Sequence, residues 1–179
     1  KYIFKGKSME EKILIKKAKK GDAEAFGLLY QKVYKKLYQY ALYVLHNEED
    51  AKDVVSEAVM DAFASIGKLK KEECFENWIF RIISNKCKLQ MREFYVYKTD
   101  LDEEVLEVQE KDHDGAMDVR QCFFRLDGVD SMIIAMHILY GYKTREIAEM
   151  LEMNENTVRS KEKRALEKMG KYLEYEALI

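Results

Sequence analysis

The chain has 179 residues, a formal net charge of −2, 36% charged residues, no proline and 8 glycines. That length holds one large domain or two small ones. No apolar run is long enough to span a bilayer, strand-like alternation of β-branched residues is lacking, and the 3 cysteines and 3 histidines fall at no metal-ligand spacing. An all-α protein is expected, with free thiols, no metal or other cofactor, no catalytic cluster, no small-molecule substrate and no direct membrane insertion.

In chain order, a first helix is expected over residues 9–20, broken and recapped at Gly21-Asp22. A second carries Phe26, Leu29, Tyr30, Val33, Leu37, Tyr40, Ala41, Val44 and Leu45 at helical spacing. Asn47 caps a third, from Glu48 to Ile66, opened by Glu48, Glu49 and Asp50, acids that favour a helix N-terminus. Gly67 and the basic loop from Lys68 to Lys71 lead to a fourth helix starting near Cys74 or Phe75. Residues 99–118 carry Asp100, Asp102, Glu103, Glu104, Glu107, Glu110, Asp112, Asp114 and Asp118 against Lys111, with little periodic apolar content. Two small helical domains, 9–97 and 115–179, joined by an acidic flexible linker over 98–114, describe this pattern. In the C-terminal domain a helix runs to Leu126. The next is capped by Asp127 or Asp130, carries Met132, Ile133, Met136 and Leu139, and ends at Gly141.

Residues 142–170 have the layout of a helix-turn-helix, which sets its second helix in the DNA major groove. Thr144 caps a first helix with Ile147, Ala148 and Leu151 inward; Glu152-Met153 forms the turn and Asn154 caps the second helix. On a wheel of about 100° per residue, Val158, Ala165, Leu166, Met169 and Leu173 fall on one side of that helix, and Asn156, Arg159, Ser160, Lys163 and Arg164 on the other. Arg pairs with guanine, Asn with adenine, and Ser and Lys with bases or phosphates. The plainer reading is a solvated helix face. Glu155 and Glu167 would repel phosphate, and Glu162 falls on the apolar side of the wheel.

The fourth helix has an apolar stripe of Phe75, Trp78, Ile79, Ile82 and Ile83, and a basic and amide stripe of Asn77, Arg81, Asn85, Lys88 and Arg92 that could track a single strand. A solvated face with a core stripe behind it is again the plain alternative. On the third helix Asp50, Asp53 and Glu57 share a face beside Val54. Without histidines this cluster fits a protein contact or solvated surface better than a metal site.

In this order and spacing, DAKDVVSEAVMDAF, FENWIFRIISNK, an acidic tether and YKTREIAEMLEMNENTVRSKEKRALEKM resemble the bacterial RNA polymerase sigma factors. The two-domain layout is similar to the extracytoplasmic-function group, and the resemblance runs from about Glu11 to Leu173. It implies a cytoplasmic, non-enzymatic subunit that binds core RNA polymerase and promoter DNA, with an anti-sigma factor as a candidate third partner. It assigns Asp50, Asp53, Val54 and Glu57 to the polymerase contact. Lys70, Lys71, Cys74, Asn77, Trp78, Arg81, Asn85, Lys86 and Arg92 would serve the downstream (minus-ten) element, where the non-template strand is held and a base is flipped out. Lys143, Arg145, Asn156, Thr157, Arg159, Ser160, Lys161, Lys163 and Arg164 would serve the upstream (minus-thirty-five) element. The linker would thread toward the active-site cleft.

The chain departs from the family pattern at several points. Glu152 stands at the usual turn glycine, and Asp127 at the proline of a Leu-Pro pair. Leu89 stands at the last position of an Asn-x-x-x-Asp pattern, Ser56 where Gln is common, and Glu162 at an apolar position. Two other classes remain open to the residues alone. A stand-alone helix-turn-helix regulator with a helical dimerisation or sensor domain would bind palindromic operators as a dimer. A helical adaptor that binds only protein would show no salt-dependent DNA binding.

Overall fold

The computed structural model describes residues 9–100 and 119–176; the backbone alone is described for 93–100, 119–120 and 173–176. All regular elements among them are helical. Most of the acidic segment assigned to the linker lies outside the described residues, as does the side chain of Leu173.

The N-terminal unit is built from α1 (Met9–Ala18), α2 (Ala23–Leu45), α3 (Glu48–Ser65) and α4 (Phe75–Asp100). Gly21, at φ +93°, stops α1. The Asp22 carboxylate then accepts the Ala25 N–H at 2.9 Å and starts α2. One seam of α2, comprising Phe26, Leu29, Val33, Leu37, Tyr40 and Val44, is buried, the a/d-like spacing of a helix with one packed face. α2 ends on His46, a left-handed residue at φ 58° whose N–H reaches the Leu42 carbonyl. Asn47 Oδ1 accepts from Glu49 at 2.8 Å and Asp50 at 3.2 Å, opening α3 as expected.

Small residues on the inner face of α3, among them Ala51, Ala58 and Ala62, let it lie close against α2. Short 3₁₀ turns at Ile66–Lys68 and Glu72–Cys74 bracket the basic loop before α4. The backbone of α4 stays helical to Asp100, three residues into the stretch given to the linker. Tyr40 of α2 and Ser84 of α4 share a buried hydroxyl–hydroxyl bond of 2.9 Å, and Ser84 also donates to the Phe80 carbonyl at 2.6 Å.

The C-terminal unit comprises α5 (Val119–Phe124), α6 (Gly128–Ile134), α7 (Thr144–Leu151) and α8 (Glu155–Glu176). Of the two caps open to α6, Asp127 is used; its carboxylate accepts the Asp130 N–H at 2.8 Å. Asp130 through Met136 are buried without interruption, so α6 is the central core helix of this unit. It continues into a π-helical turn, Ala135–Leu139, that periodicity did not reveal, and Gly141 at φ 70° ends it.

The two units share one hydrophobic core. Phe80 of α4 meets Tyr140 at 5.2 Å and Tyr142 at 5.5 Å between ring centroids, and Tyr43 of α2 meets Phe123 of α5 at 4.6 Å. The Tyr140 hydroxyl donates to the Lys36 carbonyl at 2.8 Å. At Gly128 a Cβ would collide with the Met91 side chain, so the start of α6 and α4 approach closely there. The two helical units expected from the sequence are thus also in contact with each other. Aromatic side chains on both units remove each other from water, which favours contact over separation.

Candidate nucleic-acid interface

The helix-turn-helix is formed by α7, a three-residue turn and α8. α7 begins one residue earlier than its expected cap implies: Lys143 is the capping residue, and its N–H donates to Glu146 Oε2 at 2.8 Å. Thr144 is the first helical residue, and its hydroxyl donates to Glu162 Oε2 at 3.4 Å. Glu152 occupies the turn at φ 56°, its N–H on the Ala148 carbonyl. The left-handed conformation costs a non-glycine residue about 1–2 kcal/mol. Asn154 Oδ1 accepts the Asn156 N–H at 2.9 Å and caps α8 as expected.

Val158, Ala165 and Met169 anchor α8 in the core, but Leu166, expected beside them, is 41% exposed. It lies about 100° round the helix from Ala165, at the edge of the buried stripe. Lys161, expected on DNA, turns inward instead. Its ammonium lies 3.1 Å from Asp130 Oδ1, and Lys168 approaches the other oxygen at 3.9 Å. Asp130 is 4% exposed, so this pair binds α8 to the core helix of its unit. Glu162, out of place on the wheel, meets His137 Nδ1 at 3.1 Å as well as the Thr144 hydroxyl. The apolar side of α8 accepts a carboxylate because the π-helical turn and the start of α7 bring polar partners to it.

The outer face of α8 keeps Asn156, Thr157, Arg159, Ser160, Lys163 and Arg164 exposed, with Lys143 and Arg145 exposed at the start of α7. Their cations are held only locally. Arg159 pairs with Glu155 at 3.0 Å, Lys163 with Glu167 at 3.9 Å and Arg145 with Glu149 at 3.3 Å, all one turn apart. Arg164 donates to the Ser160 carbonyl at 3.3 Å. Exposed pairs of this spacing are worth about 0.3–0.5 kcal/mol, so they cost little to break. Glu155 and Glu167, expected to repel phosphate, are the partners of Arg159 and Lys163.

The second surface is α4 with the loop before it. Lys70, Lys71 and Cys74 are exposed on that loop, Asn77 and Trp78 are half-buried, and Arg81, Asn85 and Arg92 are exposed along the helix. Lys86 is not on this face. It lies in the seam between α3 and α4, 3.1 Å from Glu57 and 2.9 Å from Asp61, hydrogen bonds that push its pKa up. Lys88 does belong to the face: its ammonium donates to the Leu151 carbonyl at 2.5 Å, and burial lowers its pKa. Beside it Arg81 pairs with Glu152. The carboxylate in the turn is thus a partner of this face that no local pattern in the sequence exposed. The only signal was a residue other than glycine at a helix-terminating position.

The third cluster divides. Asp53 and Glu57 are exposed on α3, and Asp50 accepts from Gln90 Nε2 at 3.2 Å. Val54 is 3% exposed, so it supports this surface from beneath. Among the described residues no group of histidine, cysteine and acidic side chains could hold a metal ion, and no helix is long and apolar enough to cross a membrane.

Both surfaces fall in segments that match known families. Residues 29–93 match the model of Sigma-70 region 2, and residues 116–169 that of Sigma-70, region 4; together they take in about two thirds of the chain. The ECF RNA polymerase sigma factor SigM of Mycobacterium tuberculosis is 26% identical over 157 residues, covering 87% of this chain and 80% of that protein. The ECF RNA polymerase sigma-E factor of Escherichia coli is 25% identical over 176 residues, with 89% and 92% covered. Among solved structures, CnrH in complex with the cytosolic domain of CnrY aligns at a TM-score of 0.68 and 22% identity over 93% of this chain and 99% of that one. RpoE of Bartonella quintana, in complex with the anti-sigma factor NepR, aligns at 0.70 and 18% over 85% and 98%. At these identities the two structures speak for the fold; the ordered region 2 and region 4 matches speak for the family. The chain belongs to the sigma-70 family, as an extracytoplasmic-function sigma factor that directs transcription initiation at promoters.

Proposed function

We propose that this sigma factor grips its promoter at two points, with α8 reading the upstream element and the α4 face holding the downstream one as a single strand. The observation that carries the reading is the pairing of two basic faces, one per unit. Asn156, Arg159, Ser160, Lys163 and Arg164 line α8 and suit the major groove. Asn77, Trp78, Arg81, Asn85 and Arg92, with Lys70 and Lys71 on the loop, suit a backbone and unstacked bases. Lys161 and Lys86 take structural roles in this reading, through Asp130 and through Glu57 with Asp61.

Asp53 and Glu57, backed by Val54, form the surface offered to core polymerase, with Asp50 at its edge. The acidic segment 98–114 tethers the two grips, so that polymerase sets the distance between them and supplies much of the affinity. The protein works in the cytoplasm and performs no chemistry of its own. An anti-sigma factor is a further partner, a reading supported by the solved relative bound to NepR.

Reconstitution tests the proposal. The purified chain added to core polymerase should form a stable complex and start transcripts from a cognate promoter. Asp53→Arg with Glu57→Arg should abolish assembly, and Arg159→Ala should weaken initiation only on promoters that carry its base. A chain that never binds core, and instead protects a palindromic site as a dimer, would mean a stand-alone regulator.

A further inference from the structure

The strand-holding face of α4 is covered in part by the chain's own C-terminal unit. The end of α7 reaches this face with two negative groups. The Leu151 carbonyl, in the last turn of that helix, takes the Lys88 ammonium at 2.5 Å. The next residue, Glu152, places its carboxylate on the Arg81 guanidinium. The negative end of a helix dipole and a carboxylate, side by side, present to α4 what a phosphodiester would present. The turn itself does not need a glutamate. At φ 56° glycine serves the geometry better, so the consequence of a carboxylate here lies in its contact with α4. Packing of Phe80 against Tyr140 and Tyr142 holds the C-terminal unit in register for that contact.

We propose that Glu152 and the Leu151 carbonyl act as an intramolecular competitor for DNA, occupying Arg81 and Lys88 until a single strand displaces them. The inference rests on the reading of the α4 face as the strand site. The closed chain then has low affinity for unpaired DNA, and strand binding and contact between the units oppose each other. By linkage, whatever separates the units raises strand affinity, and strand raises the separation by the same factor. The pair is half-exposed, at 52% and 56% for the two side chains, so the effect is modest and sensitive to salt.

The test uses the full chain, a fluorescently labelled single-stranded oligonucleotide and anisotropy titrations at low and high salt. Glu152→Gly removes the carboxylate while relieving the turn, and Glu152→Gln removes only the charge. Both should bind strand about two- to five-fold more tightly than the parent at low salt, with the gain shrinking at high salt. Amide exchange across residues 152–154 of the parent should quicken when strand is added. Arg81→Ala should bind more weakly than the parent, and adding Glu152→Gly to it should restore nothing. If Arg81→Ala weakens binding but neither Glu152 variant strengthens it, the strand site stands and the competitor is overturned. If Arg81→Ala leaves binding unchanged, the strand site itself fails and the competitor with it.

Discussion

The α8 face and the α4 face are both basic stripes on long helices, yet they are held in opposite ways. On α8 the outward Arg159, Lys163 and Arg164 each meet a group one turn away on their own helix: Glu155, Glu167 and the Ser160 carbonyl. On the α4 face two cations are engaged by a distant segment: Arg81 by Glu152 and Lys88 by the Leu151 carbonyl. A face stabilised within its own helix stays ready whatever the rest of the chain does. A face stabilised by tertiary contacts reports on whether those contacts are made. If the two faces act as proposed, the upstream grip is constitutive and the downstream one conditional.

The largest expected effect is at the joint between the units. Phe80 is fully buried and touches Tyr40, Tyr140 and Tyr142. Phe80→Ala should cost about 3–5 kcal/mol in denaturant unfolding. It should also split one transition into two, because the remaining contacts hold the units together less well. A single unchanged transition would mean that the units are coupled elsewhere.

A smaller effect is expected inside the C-terminal unit. Asp130→Ala leaves Lys161 facing a nearly dry pocket; since Lys161 itself is about a quarter exposed, the loss should be about 2 kcal/mol. Thermal melting should show it, together with weaker upstream-element binding on every promoter. Arg159→Ala differs in kind: stability should hardly move, while affinity falls by about 1–3 kcal/mol at one base pair if it reads a guanine. An equal loss on all promoters would remove its base-reading role and erase the contrast with Asp130.

The smallest effect concerns pH. His46, at the end of α2, packs edge-on against Phe124 of α5 at 4.9 Å, and burial lowers its pKa below the ordinary imidazole value. The unfolded chain then takes up this proton more readily. The contribution is present above about pH 6.5 and is lost as pH falls through the depressed folded value. His46→Asn, which tolerates the left-handed backbone, should flatten that part of the stability profile between pH 7 and 5 without shifting the neutral value by more than about 1 kcal/mol. An unchanged slope would place the acid sensitivity in other groups.

Much of the local structure was legible because its causes are local. Asp22, Asn47, Asp127 and Asn154 each cap a helix with a short side chain reaching the next turn, and spacing alone set the seam of α2. Of the candidate site, the exposed face of α8 was legible for the same reason, since helical periodicity separates buried positions from exposed ones. Lys161 and Lys86 were not: a long, flexible cation looks the same in sequence whether it meets DNA or a carboxylate on another helix. Val54 was visible as part of a cluster but not as its buried support. Glu152, at the usual turn glycine, and Glu162, on the apolar side of the wheel, became intelligible once Arg81, His137 and Thr144 stood beside them.

The sequence by itself determined the helices, their order, the two-part layout and the family, because periodicity, capping and motif order act within a few turns of chain. Tertiary structure alone decided which cations meet a carboxylate on another helix, that the two units share a core, and that the turn before α8 rests on the α4 face. Those outcomes depend on contacts between residues far apart in the chain, such as Lys86 with Glu57, 29 positions away, and Tyr140 with Lys36, 104 positions away. A charge reaches a partner at such a separation only after the aromatic and aliphatic surfaces of both units have packed.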